Sequence, residues 1–227
     1  MTDWRTAGLE NFGVFQPRVT DGRFEIPRIL PERLPAVEWT GFNYARGAKG
    51  ARLNTGATRA TGVHFFLDDY QFRAVWEYPE RYAQALGRFG AVLSPDFSTY
   101  ADMPQILQLW NHYRKHWLGA FWQSRGLTVV PTISWSTPAS WEWCFDGEPH
   151  GGAVAISTVG VERDKSAFDF FVAGYQEMIT RLQPSQILVY GKRFEFMTED
   201  YLTVVEPFFK QMRGRSSNSG LREAGKN

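Results

Sequence analysis

Ala153-Val154-Ala155-Ile156-Ser157-Thr158 is apolar for four residues and then turns to small hydroxyl side chains. A strand covered on both faces of a sheet has this composition until it leaves the sheet. A helical pattern follows, with Phe168, Phe171, Tyr175, Met178 and Leu182 on one stripe and Asp164 or Ser166 as cap. Ile187-Leu188-Val189-Tyr190-Gly191 then repeats the move. Upstream, Ala91-Val92-Leu93-Ser94-Pro95-Asp96 and Thr128-Val129-Val130-Pro131-Thr132-Ile133-Ser134-Trp135 have the same form. Strands beginning at Val37, Val63, Ala91, Thr128, Ala153 and Ile187 alternate with helices, which requires parallel pairing through right-handed crossovers. The expected fold is therefore α/β, one domain over residues 1–213 with a mainly parallel sheet. A complete eight-stranded barrel takes about 250 residues, so a partial or irregular TIM-like barrel is expected. The alternative, an open doubly wound sheet, loses ground because no Gly-x-Gly-x-x-Gly follows the first strand.

Between these strands the pattern assigns three more helices. Pro79 opens a short one with Tyr82, Ala85, Leu86 and Phe89 inward. A long one runs from Asp102-Met103-Pro104 to about Ser124, burying Ile106, Trp110, Tyr113, Trp117 and Phe121, with Asp102 as cap and Gly126 as stop. Asn111, Lys115 and His116 fall off the centre of its stripe. A last helix is expected over Glu199–Met212, and a short strand or hairpin near Val14 or Phe24.

Ala45 to Thr61 carries Arg46, Lys49, Arg52 and Arg59 with no acid, too polar and glycine-rich to order itself, and reads as a mobile basic loop. Residues 214–227 read as a disordered tail. Nine Trp and eighteen Phe imply a heavy core or a stacking surface. A net charge of +1 argues against a protein that coats DNA. One cysteine excludes an internal disulfide. No segment has the roughly 20 apolar residues of a membrane span, and Met1-Thr2-Asp3-Trp4-Arg5 lacks a signal layout, so a cytoplasmic protein is expected.

Ligands of parallel α/β folds gather where strands exit. Asp68, Asp69 and Asp96 follow strand ends and are the candidate catalytic residues, as acid and base or as ligands of a divalent metal such as magnesium. The alternative is that Asp68 and Asp69 cap turns and that Asp96 begins the loop into the next helix. Ser157, Thr158, Arg163 and Lys192 lie in adjacent exit loops suited to an anion. Ser134, Trp135 and Trp141 complete the candidate ligand-binding set, the rings either stacking on a base or sugar or covering the barrel end. Glu142 between two rings is a weaker candidate acid. Cys144 reads as a packed thiol. His112 and His116 stand at the i, i+4 spacing that suits zinc, but no third ligand is evident in the sequence, so a solvated helix face is expected and no metal site is assigned.

Several strings carry a family resemblance: Gly62-Val63-His64-Phe65-Phe66-Leu67-Asp68-Asp69-Tyr70-Gln71-Phe72, Leu93-Ser94-Pro95-Asp96-Phe97-Ser98, Asn111-His112-Tyr113-Arg114, Pro131-Thr132-Ile133-Ser134-Trp135 and Ser157-Thr158-Val159-Gly160. They resemble a bacterial domain family of unknown function met in phages, plasmids and other mobile elements. The resemblance runs from about Phe12 to about Phe196, with a longer loop over Arg46–Ala60. It implies a mobile-element product whose targets are nucleic acid, nucleotides or a host protein, and it transfers no catalytic residue. The expectation is a strand-end cleft that binds a phosphorylated small molecule, nucleotide or nucleic-acid end, with hydrolase or transferase chemistry. Two alternatives stand beside it: a non-enzymatic nucleic-acid-binding or replication-associated protein, and a protein that binds a host factor.

Overall fold

The computed structural model describes residues 10–46 and 58–207. Among the described residues nine strands are formed: β1 (Thr20–Asp21), β2 (Ile26–Pro27), β3 (Glu38–Gly41), β4 (Thr61–His64), β5 (Ala91–Leu93), β6 (Val129–Val130), β7 (Ala153–Ser157), β8 (Gln186–Tyr190) and β9 (Leu202–Val205). The α-helices that frame these strands are α1 (Phe42–Arg46), α2 (Ala74–Glu77), α3 (Pro79–Leu86), α4 (Gln105–Ser124) and α5 (Lys165–Leu182).

β1 and β2 make the small antiparallel hairpin around Phe24. The other strands pair in parallel, in chain order, as β3-β4-β5-β6 and β7-β8-β9. One parallel bridge, Thr132 to Ala155, joins the two sheets. The order never reverses, and a reversal is what a doubly wound sheet needs for its ligand crevice. β3 and β9 end the series without pairing to each other, so no closed barrel is formed among the described residues.

The helix between Pro79 and Leu86 starts on its proline, as the fixed φ of that residue favours. In α5, the Asp164 carboxylate accepts from the Ala167 N–H at 2.9 Å, which satisfies one of the orphan donors of the first turn. Gly126, at φ +81, follows the C-terminus of α4. The expected cap of α4 does not form: Pro104 occupies that position, without a side-chain hydrogen bond.

Two further expectations fail. Leu202 to Val205 is a strand, paired with β8 from Ile187–Leu202 to Tyr190–Val205, where a helix over Glu199–Met212 was expected. The spacing of Leu202 and Val205 mimics a helix, but Thr203, Val204 and Val205 are β-branched and the parallel edge of β8 is there to receive them. Residues 208–212 lie outside the described residues. The second failure concerns α4. Ile106 is 70% exposed, while Asn111, Lys115 and His116, expected off the centre of its stripe, are buried together with His112. The helix is covered on both sides, by an aromatic core holding Trp117, Phe121 and Trp122 and by the polar groups of the 132–148 segment.

A second core gathers Ile133, Cys144, Ile156, Tyr175, Met178 and Val189 beneath α5. A third lies between the sheets, where Leu93, Val130, Ala155 and Leu188 meet Trp39 of β3 and Val205 of β9. Both outermost strands thus pack on the same cluster. Most of the expected basic loop lies outside the described residues, as does the expected tail. Its ends are regular: Ala45 and Arg46 belong to α1, and residues 58 and 59 are helical. Among the described residues no helix is long and apolar enough to cross a membrane.

Candidate functional site

The parallel pairing carries the exits of β4, β5, β6, β7 and β8 along one edge, with Ser157 opposite Tyr190. They surround a cleft of two adjoining lobes, about 320 and 500 Å³, which share Leu67, Asp96, Ser157 and Val159. The smaller lobe is walled by Tyr100, Ser134, Trp135 and Phe171. The larger is walled by Asn43, Tyr44, Asp68 and Tyr190.

Asp96 stands where the lobes meet. Burial pushes its carboxyl up from 3.8 to about 7, against the pull of the Lys115 ammonium and with the Asp69 charge adding to the rise. No hydrogen-bond donor among the described residues reaches it. Asp69 is placed differently. It is half-buried, off the cavity wall, and its carboxylate accepts from the Ser98 N–H at 3.1 Å and the Ser98 hydroxyl at 2.8 Å. Asn111 in turn donates to the Ser98 carbonyl at 2.6 Å, so α4 locks this loop. Asp68 is exposed on the larger lobe, where its carboxylate accepts from the Gln71 amide at 3.4 Å. The three aspartates do not draw together into a three-carboxylate cation site.

Of the expected binding residues, Ser134, Trp135 and Ser157 line the cleft. Trp135 is half-buried, its ring 5.3 Å from Phe171 and its indole N–H donated to the Phe170 carbonyl at 3.2 Å. The other expected residues sit elsewhere. Thr158 is buried and ties the β7 and β8 exits together by accepting from the Lys192 N–H at 2.7 Å. Lys192 turns outward to Glu162 at 2.9 Å, and Arg163 is exposed. Trp141 packs on the second core, away from the cleft walls. Trp143 is buried with its ring edge against His112. The tryptophan-rich loop is therefore mostly core, with one ring left at the cavity. Glu142 is exposed and paired with Arg23 at 3.2 Å, outside the cleft. Cys144 is fully buried and burial pushes its thiol up to about 12; His150 is exposed.

Below the cleft lies a polar cluster whose extent the sequence did not reveal. Lys115 donates to Glu148 Oε1 at 2.6 Å and to the Thr132 carbonyl at 2.8 Å. His116 approaches the same Glu148 oxygen with Nε2 at 2.9 Å and the Pro27 carbonyl with Nδ1 at 2.9 Å. His112 Nε2 lies 3.0 Å from the Asp146 carbonyl. All of these side chains are buried, which corrects the expected solvated face. The i, i+4 histidines were the visible half of the signal; Glu148, some thirty residues on, was not connected to them.

The chain matches the model of the domain of unknown function DUF4417 over residues 19–208. It is 41% identical over 184 residues to the Gene 1 protein of Mycobacterium phage L5, covering 80% of this chain and 78% of the relative. The same identity and length hold for the Gene 1 protein of Mycobacterium phage D29, of which the match spans 66%. No solved structure matches. A family model spanning the hairpin, every parallel strand and the whole cleft places this chain in the DUF4417 family, with phage proteins among its relatives.

Proposed function

We propose that the cleft is an active site in which Asp96 transfers a proton to or from a small polar ligand with a planar portion, in a hydrolase or transferase reaction. The observation that carries this is Asp96 itself: a carboxyl raised to about 7, free of hydrogen bonds from the described residues, at the junction of two cavities. A group with that proton affinity is matched to acid–base work near neutral pH. Ser134 and Ser157 offer hydroxyls to the ligand, and Trp135 offers an apolar wall for a base or sugar ring.

Arg163 and Lys192 lie off the cavity wall, and Asp68 and Asp96 both face the larger lobe. A bare phosphate there meets negative charge. A nucleoside or sugar portion suits the lobes better, with any phosphate directed to the mouth or neutralised by magnesium. The seven parallel strands, in chain order across two sheets joined at Thr132–Ala155 and with Trp39 and Val205 on one inner cluster, support an incomplete barrel whose open end is this cleft.

Thermal-shift titration of wild-type protein and Asp96→Asn with nucleosides, nucleotides and sugar phosphates, with and without magnesium, tests the reading. A ligand at a hundredfold excess over its Kd stabilises by about 2.7 kcal/mol. Stabilisation of the wild type that the variant loses or weakens supports the cleft. Equal shifts in both proteins with every responding ligand remove Asp96 from the site.

A further inference from the structure

We propose that His112, His116 and Glu148 form a structural binding site for a zinc-class divalent ion, buried beneath the cleft and separate from it. One ligand atom from each of the three residues lies within 4.8 Å of the others, and all three residues are buried. The two histidines stand one turn apart on α4, and Glu148 comes from the segment that follows Trp143.

The argument is a proton count. His116 Nδ1 faces the Pro27 carbonyl, which only accepts, so Nδ1 carries the proton of a neutral ring. Nε2 then presents a lone pair to Glu148 Oε1, another acceptor, at 2.9 Å. Two acceptors facing each other at that distance require a cation between them, either a second proton or a metal ion. His112 is oriented alike: Nε2 is directed at the Asp146 carbonyl, which leaves Nδ1 as its lone-pair atom. Metal-bound histidines commonly donate the other ring N–H to a main-chain carbonyl, which fixes the tautomer and aims the ligand nitrogen. Both histidines have that partner here.

A second observation is independent of the rings. The Glu148 side chain is fully buried, and its Oε2 has no hydrogen-bond partner among the described residues. A buried carboxylate oxygen without a partner is costly, and a metal ion would satisfy it. Two imidazoles and one carboxylate make a donor set for zinc and its neighbours rather than for magnesium or calcium.

Lys115 sets the charge balance. In the protonated form its ammonium neutralises Glu148. A dication takes over that task, so its binding displaces the proton between His116 and Glu148 and weakens the hold of Glu148 on Lys115. Because the ion joins α4 to the 146–148 turn, and His116 already holds the hairpin at Pro27, its role is to fasten these parts together.

The test is metal analysis of the full chain purified without chelators and then saturated with zinc and dialysed, with cobalt(II) substitution read by visible absorption. The expected result is one ion per chain, ligand-field bands of a low-coordinate cobalt site, and a melting temperature lowered by chelator and restored by zinc. His112→Asn and Glu148→Gln lose the ion, and His150→Asn, at an exposed histidine, keeps it. A wild type with no bound ion after zinc saturation, no cobalt bands and a melting temperature indifferent to zinc and chelator overturns the proposal, whether or not the variants fold.

Discussion

Ser98 donates to the Asp69 carboxylate through both its main-chain N–H and its hydroxyl, at 3.1 and 2.8 Å, while Asp96, two residues earlier on the same exit, receives no hydrogen bond from the described residues. One carboxylate is fastened in place and the other is left facing a cavity. The fastened one contributes to the proton affinity of the free one.

Asp96 makes stability depend on pH in a defined direction. Its folded-state carboxyl is raised to about 7 from 3.8, so between those values the folded chain holds a proton that the unfolded chain has released. Stability conferred by the protonated form is therefore lost as pH rises from about 4 to about 7. Asp96→Asn, which cannot ionise, escapes this loss. The expected gain of the variant over wild type grows through that window, reaches on the order of 1–3 kcal/mol above pH 7, and then levels off. Denaturant unfolding of both proteins at several pH values checks it; parallel curves would refute it.

Lys115 and Glu148 are a buried pair 2.6 Å apart, and removing one partner strands the other's charge. In chelator-treated protein, Lys115→Met is expected to cost about 3–5 kcal/mol. Adding Glu148→Leu to that variant is expected to recover part of the loss, because no buried charge then remains unpaired. A double variant no more stable than the single one contradicts this account.

Gly174 lies under Trp135. A Cβ on Gly174 would sit 2.2 Å from the indole nitrogen, which donates to the Phe170 carbonyl. Gly174→Ala must push the ring toward the cavity or break that hydrogen bond, costing about 1–3 kcal/mol. The same variant should weaken any cleft ligand found by thermal shift, since Trp135 forms the wall. Unchanged stability shows that the ring has room to move.

Cys144 is expected to be inert. Its thiol is buried and pushed up to about 12 by that burial, so little thiolate exists at neutral pH. Ellman's reagent should label it only at the rate of unfolding, and Cys144→Ala should leave any activity of the cleft intact. Rapid labelling of the native protein would count against this.

Much of the framework was legible in the chain. The runs at Ala91, Thr128, Ala153 and Ile187 all contain parallel strands, because a strand buried on both faces must be apolar throughout and a strand exit must be polar. Pro79, Asp164 and Gly126 marked helix ends through their own backbone chemistry. β9 was misread because four residues are too few for periodicity to separate strand from helix.

The sequence by itself determined the parallel order of strand and helix, the edge at which Asp68, Asp96, Ser134 and Ser157 gather, and the burial of Cys144. These follow from local composition and from the handedness of crossovers, which are properties of short stretches. Tertiary structure alone decided which polar residues are inside. His112, Lys115 and His116 look like the outer face of an amphipathic helix until the 146–148 turn and Pro27 close over them. Arg163 and Lys192 look like cleft residues until Glu162 draws Lys192 outward. Burial is a relation between segments distant in sequence, and no local pattern encodes the partner that arrives from elsewhere in the fold.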